Sequence, residues 1–171
     1  MDFQLSERRQ ALQQAVREFA EKELLPGVIE RDEKSEYPLE LYKKLGSMGY
    51  VGLPYEEKYG GSGGDYLDYA LCVEEISKVD ASLGISYSVA MSLYGGSIYN
   101  GATEEQKMEF LPDVFSGKAL GGFGLTEPNA GSDAGGCVTT ATKKDGRYVL
   151  NGLKCFNTNG YVYKRQPLSG A

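Results

Sequence analysis

The segment of this chain with the clearest chemical potential runs from Gly122 to Asp133: Gly-Phe-Gly-Leu-Thr-Glu-Pro-Asn-Ala-Gly-Ser-Asp. The spacing predicts a strand ending in Thr126, a turn forced by Pro128, and a loop of small residues with several unused N–H groups. Small residues let backbone approach a planar ring or a phosphate closely, and oriented N–H groups favour an anion. The hydroxyls of Thr126 and Ser132 can each donate or accept a hydrogen bond. The segment is neither a Walker loop nor a Rossmann fingerprint: no Gly-Lys-Ser/Thr follows, and Gly122 and Gly124 lack a third glycine at the right spacing. On residue types alone, a tight structural turn and a ligand loop both remain open. The absence of histidine from the whole chain excludes Ser-His-Asp and Cys-His nucleophiles and His-ligated zinc or iron. Acid–base work would fall to carboxylates, Lys or Tyr. Chemistry here therefore depends on a bound cofactor or on residues outside this chain, and no metal site is expected.

The surrounding elements fall into two parts. With 171 residues, 41% hydrophobic and 25% charged, the chain suits one full domain and part of another. Disorder, collagen and a membrane span are excluded by composition, and a cytoplasmic location is expected. Cys72, Cys137 and Cys155 are an odd, dispersed set that fits reduced thiols. Residues 1–116 carry 11 Lys and Arg against 21 Asp and Glu, residues 117–171 seven against three. Glycine density roughly doubles at the same place, with 12 of the 23 before Gly117 and 11 from it onwards. Two independent shifts at one position mark a domain seam.

Before the seam the period is helical. Leu12, Val16, Phe19, Ala20 and Leu24 line one face of a helix from Ser6 to Leu25, stopped by Pro26-Gly27. A second helix begins near Pro38, which suits a first turn, and ends at Gly49. After a glycine-dense loop over 51–64, a third runs from Tyr66 to Val79. Asp80 and Ser82 offer a cap for a fourth across Leu83 to Tyr94, and the stretch from Ala81 to Thr103 holds no charge, which predicts a helix buried all round. A fifth runs from the cap Thr103 to Phe115. The acidic faces, Glu74 and Glu75 among them, read as solvated surface. After the seam the period becomes two. Val138, Thr140 and Thr142 alternate, Asp145-Gly146 signals a hairpin turn, and Tyr148 and Leu150 alternate again. Asn151-Gly152 predicts a further turn into Lys154–Thr158. About four short strands open an antiparallel meander with an unpaired edge, so the second domain reads as incomplete.

The stretch Leu125-Thr126-Glu127-Pro128-Asn129-Ala130-Gly131-Ser132-Asp133 resembles the Thr-Glu-Pro…Gly-Ser-Asp signature of the acyl-CoA dehydrogenases. The stretch from Asn151 to Gly160 resembles their second flavin segment. Gly52-Leu53-Pro54…Tyr59-Gly60-Gly61 and Glu105-Gln106-Lys107…Leu111-Pro112 add to the likeness, in order and spacing, over residues 1 to about 160. The resemblance implies an α+β chain: an N-terminal all-α bundle (1–117) and the beginning of an antiparallel β-barrel-like middle domain (118–161), which is incomplete. Residues 162–171 depart from the pattern and are expected to be a non-native tail on a truncated chain.

The resemblance further implies FAD as cofactor. Phe123, Leu125 and Thr126 would line its isoalloxazine, and Ser132 would contact the CoA substrate or nearby cofactor groups. Phe156, Asn157 and Thr158 match an aromatic–Ile–Thr triplet beside the reactive nitrogen, with Asn157 departing from the usual Ile. The implied reaction is α,β-desaturation of acyl-CoA, by α-proton abstraction with β-hydride transfer to the flavin. The base in this family is a Glu of the C-terminal domain, expected beyond residue 171, so the chain alone is expected to be inactive and no catalytic residue is assigned within it. Glu127 belongs to the loop motif and reads as structural. The helix over Leu83 to Tyr99 resembles the one that walls the acyl pocket, and Leu93-Tyr94-Gly95-Gly96-Ser97-Ile98 is most similar to the short-chain, butyryl-type branch. Implied partners are acyl-CoA and an electron-transfer flavoprotein, within a homotetramer, with no nucleic acid and no membrane. The alternatives are a flavin-free helical interaction module from a degenerate paralogue and an acyl-CoA oxidase relative. Thr126, Ser132 and Thr158, all intact, favour the dehydrogenase.

Overall fold

Ser6 starts the first helix, its side chain accepting the N–H of Arg9 at 3.4 Å. The computed structural model describes residues 4–160 and divides the chain into two compact units between Gly121 and Gly122. In the first unit α1 (Glu7–Phe19) runs through a π turn (Ala20–Leu24), burying Val16, Phe19, Ala20 and Leu24. A short helix that periodicity did not reveal, α2 (Val28–Lys34), follows the left-handed Gly27. It buries none of its residues and so carries no apolar stripe to read. Then come α3 (Leu39–Ser47) and α4 (Tyr66–Val79). Pro38 stands before α3 as its cap, not within its first turn.

Asp80 caps α5 (Ala81–Ser88), accepting the Leu83 N–H at 2.9 Å. The rod continues through a π turn (Val89–Gly95) into α6 (Gly96–Gly101). It is uncharged but not buried all round: Leu83, Tyr87, Ala90 and Met91 are fully buried, whereas Ile85 and Leu93 are 55% and 43% exposed. The predicted fifth helix is two, α7 (Glu104–Phe110) and α8 (Pro112–Phe115). Pro112 cannot donate the N–H that would continue the first. Thr103 and Gln106 form a capping box at the start of α7.

The glycine-dense loop is held down by aromatic rings. Tyr55 stacks on Phe115 with centroids 4.0 Å apart and donates its hydroxyl to the Met91 carbonyl at 2.6 Å. Tyr87 reaches the Tyr50 carbonyl at 2.8 Å. Where α3 meets the end of the bundle the chains touch backbone to backbone: a Cβ on Gly46 would lie 2.7 Å from the Gly117 Cα and collide with the Ser116 carbonyl.

The reading of Glu74 and Glu75 as solvated surface fails at Glu75. Asp68 and Glu75 lie two turns apart on α4 and face α1, 0% and 1% exposed. Asp68 takes Arg8 at 2.8 Å and Arg9 at 3.2 Å. Glu75 takes Arg17 at 3.0 Å, Gln13 at 2.9 Å and Lys78 at 2.8 Å. An apolar-stripe criterion misses such a seam because its buried residues are charged. Arg17, with Lys78 after it, outweighs burial and holds the Glu75 carboxyl down to about 2.

In the second unit β1 (Thr140–Lys144) and β2 (Arg147–Asn151) pair antiparallel, Thr142 opposite Val149. The turn residues Asp145 and Gly146 have φ of 51° and 78°, the left-handed pair this tight hairpin requires. The other predicted strands do not form among the described residues. Gly152 lacks the positive φ of a second hairpin turn, and a single backbone bond, Cys155 N–H to the Thr126 carbonyl at 2.8 Å, joins the segments expected to be strands. One bond is not a ladder. The barrel-like domain is thus represented by one hairpin and two loops. The expected foreign tail, 162–171, lies outside the described residues. Among the described residues no helix is long and apolar enough to cross a membrane.

Two expectations test the helical unit. Glu75→Gln weakens three contacts, two of them to cations, and should cost about 2 kcal/mol, roughly 6–10 °C in the melting midpoint. Because the folded carboxyl titrates below its ordinary 4.5, its contribution is present above that pH and is lost as pH falls from 4.5 towards 2. The parent and Glu75→Gln melting curves should converge there, and a constant gap would contradict the ion-pair seam. Gly46→Ala forces backbone apart and should cost about 3 kcal/mol, whereas Gly101→Ala, whose Cβ meets nothing, should be neutral or stabilising in the same thermal melts.

Candidate flavin-facing segments

Glu127 organises the second unit. Its carboxylate is 3% exposed and accepts the N–H groups of Val138 at 2.7 Å and Thr139 at 3.1 Å, and the ammonium of Lys154 at 2.7 Å. Lys154 first, then Thr139 and Val138, hold this carboxyl down to about 2. Backbone bonds from Glu127 N–H to the Ala130 carbonyl (2.8 Å) and back (3.2 Å) close the turn over Pro128 and Asn129. Asn129 ties that turn to the Gly136 carbonyl at 3.1 Å.

The clamp joins the two segments that the sequence singled out. Leu125, Thr126 and Glu127 each bond the partner segment: Lys154 donates to the Leu125 carbonyl at 2.9 Å and to Glu127, and Cys155 N–H donates to Thr126. Leu125 and Thr126 are thereby held beside the stretch that carries Phe156, Asn157 and Thr158. The Asn157 amide lies against Gly124, 3.7 Å from where a Cβ would stand. Phe156 adopts φ of 56° and is 92% exposed. A bulky side chain in the left-handed region is uncommon. Phe123 is half-buried. Ser132 is exposed, and no described contact joins it to Thr126 or Thr158.

Leu125 is 40% exposed, and the half-buried hydroxyls of Thr126 and Thr158 make no hydrogen bond to a described residue. Lys154, the other half of the clamp, was not singled out by sequence, where it is one more polar residue in an alternating stretch. A cleft of 570 Å³ in the helical unit, lined by Arg31, Tyr37 and Asp80 among others, contains none of the sequence-predicted residues. Among the described residues no cluster of three or more His, Cys, Asp or Glu could hold a metal.

If Glu127 is charged and clamped, the amide resonances of Val138 and Thr139 should titrate with a midpoint near 2, and Glu127→Gln should abolish that titration. A midpoint near the ordinary 4.5, measured by nuclear magnetic resonance against pH, would show that no clamp exists.

Comparison with known proteins places these two segments in context. Residues 6–118 match the family model of the acyl-CoA dehydrogenase N-terminal domain, and residues 122–164 that of the middle domain. The short-chain-specific acyl-CoA dehydrogenase of Megasphaera elsdenii is 50% identical over 164 residues, 94% of this chain and 43% of that one. The solved structure of butyryl-CoA dehydrogenase from Megasphaera elsdenii has a TM-score of 0.88, with 50% identity over the same shares of each chain, 94% and 43%. A glutaryl-CoA dehydrogenase from Mycobacterium smegmatis, solved in complex with FADH2, is 36% identical over 92% of this chain and 40% of that one, with a TM-score of 0.87. The chain thus spans about two fifths of the length of the relatives it matches. The motif around Glu127 and the helices before it sit, in the same order, in proteins of one kind: the chain belongs to the acyl-CoA dehydrogenase family.

Proposed function

We propose that this chain forms the helical wall and the first flavin-facing segments of a FAD-dependent dehydrogenase of short-chain acyl-CoA, with residues 1–117 as helical domain and 118–161 as part of the middle domain. The observation that carries this reading is the clamp of Glu127 and Lys154, which sets Leu125 and Thr126 beside Phe156–Thr158. FAD bound there supplies the acceptor for the hydride that leaves the acyl β-carbon. The Thr126 and Thr158 hydroxyls are available to bond the polar edge of its ring. Phe123, Leu125 and Phe156 offer apolar surface that keeps water from the reacting carbon. Asn157 packs on Gly124 where the family's Ile would stand, and Ser132 is left to meet CoA or nearby cofactor groups.

The α-proton needs a base from outside residues 1–171. A base must be poised near the working pH, and both buried glutamates fail that condition. Glu75 and Glu127 are each paired with cations and held down to about 2. On the same reading the acceptor of the electrons is an electron-transfer flavoprotein, and the whole enzyme is a cytoplasmic homotetramer with no nucleic-acid or membrane partner.

The test is a hybrid in which residues 1–161 of this chain are continued by the C-terminal remainder of the Megasphaera elsdenii enzyme. The hybrid should be yellow and should bleach on addition of butyryl-CoA. Thr126→Ala should weaken FAD binding several-fold, the loss of about 1 kcal/mol for one hydrogen bond. A folded, colourless hybrid would refute the flavin site, and rapid reoxidation by oxygen would favour an oxidase. The 171-residue chain alone should neither hold FAD tightly nor reduce a dye with butyryl-CoA, and turnover by it would place the base within residues 1–171.

A further inference from the structure

The π turn in the uncharged rod, Val89–Gly95, lies inside the helical unit between α5 and α6. Here the Gly96 N–H bonds the Met91 carbonyl, five positions back where an α-helix reaches four. Such a turn holds one residue more than the helix needs, and turns of this kind gather at functional sites. Its displaced carbonyls take hydroxyls. The Ser88 carbonyl accepts the Ser92 hydroxyl, from within the rod, at 2.7 Å. The Met91 carbonyl accepts the Tyr55 hydroxyl, from the glycine-dense loop, at 2.6 Å, and both residues are buried. The Gly52 N–H of the same loop meets the Met91 sulfur at 3.1 Å. We propose that Tyr55 is a positioning residue for acyl-chain length: its hydroxyl holds the π turn, and the turn decides which side chains of the rod stand in line along the acyl chain. The proposal rests on the reading of this rod as the wall of the acyl site.

Helical register supplies the link. At about 100° per residue an unbroken α-helix would set Ile85 and Leu93 about 80° apart, and one inserted residue brings them within about 20° of each other. Two branched aliphatic side chains then share one line of an uncharged face, and that line limits the depth open to an acyl chain. Undoing the turn swings Leu93 out of line by about 100° and deepens the space. An inserted residue breaks the regular ladder, so bonds from outside the helix must hold it. The neighbours of Tyr55 fix it for that task. Its ring stacks on Phe115 with centroids 4.0 Å apart, and Phe115 in turn lies against Gly95, where any Cβ would collide with its ring. The last residue of the turn is thus a glycine that lets the two rings reach the rod. Tyr55→Phe keeps the stack and leaves the Met91 carbonyl its Gly96 N–H, so it removes one bond and no packing.

In the hybrid enzyme, Tyr55→Phe should raise kcat/KM for hexanoyl-CoA relative to butyryl-CoA about fivefold, through KM, with FAD content unchanged. Tyr99→Phe removes a hydroxyl of the same aromatic cluster, one that bonds Glu56 instead of the turn, and should leave the ratio within about twofold. Leu93→Ala reports on the wall itself. If Leu93→Ala shifts the ratio and Tyr55→Phe does not, the wall stands and the role of Tyr55 is overturned. If neither shifts it, the reading of the rod as a wall fails and the proposal with it. In the 171-residue chain, where no turnover is needed, Tyr55→Phe should speed amide exchange at Gly96 about tenfold and Tyr99→Phe should not. Equal protection of Gly96 in the parent and both variants would overturn the hold on the turn, whatever the hybrid does.

Discussion

A carboxylate taken out of water must be met on every side, and four such groups organise the described residues. Asp68, Glu75, Asp80 and Glu127 are all buried, where an unmatched charge would cost several kcal/mol. Each is matched by groups far away in sequence, so each prescribes a piece of tertiary structure. Asp68 and Glu75 set α1 on α4 through Arg8, Arg9 and Arg17. Burial alone would raise the Asp68 carboxyl, but the bonds from Arg8, the Asp65 backbone and Arg9 bring it below its ordinary value. Asp80 caps α5 and takes Arg31 at 3.2 Å, and the same guanidinium also bonds the Leu24 and Pro26 carbonyls. One acid thereby secures the end of α1, the start of α2 and the corner between α4 and α5.

The two units use this device under different conditions. The helical unit has an apolar core as well, with Tyr42, Leu45, Ile76, Leu83 and Phe115 fully buried. Losing one ion pair there leaves most of the burial intact. Among the described residues of the second unit Ala130 is the buried apolar residue and Glu127 the buried charge, while both strands are open to water. Its loops are therefore shaped by polar geometry, and the residues proposed to face the flavin inherit their positions from Glu127 and Lys154.

Much of this was legible residue by residue. Asp80 and Thr103 read as caps because a short side-chain oxygen before a helical run has one good use. Asp145-Gly146 read as a hairpin turn because both positions must be left-handed. Other elements were not legible, each for a physical reason. α2 buries nothing and so leaves no period. Glu75 looks like any surface glutamate until α1 packs over it. The strands expected at Thr126 and Lys154 have the right alternation, but a strand exists only where a neighbour completes its ladder.

The sequence by itself determined local conformation, the change from helical to alternating period near Gly117, and the family, since the residues from Leu125 to Asp133 carry a specific pattern. Those properties depend on neighbours within a few positions, or on the order of a motif. Tertiary structure alone decided which carboxylates are buried, that Lys154 completes the clamp on Glu127, and that Thr126 lies beside Cys155. Such pairings join residues tens of positions apart, and nothing in the identity of either partner names the other. Only the packed chain, by removing water from one of them, makes the match obligatory.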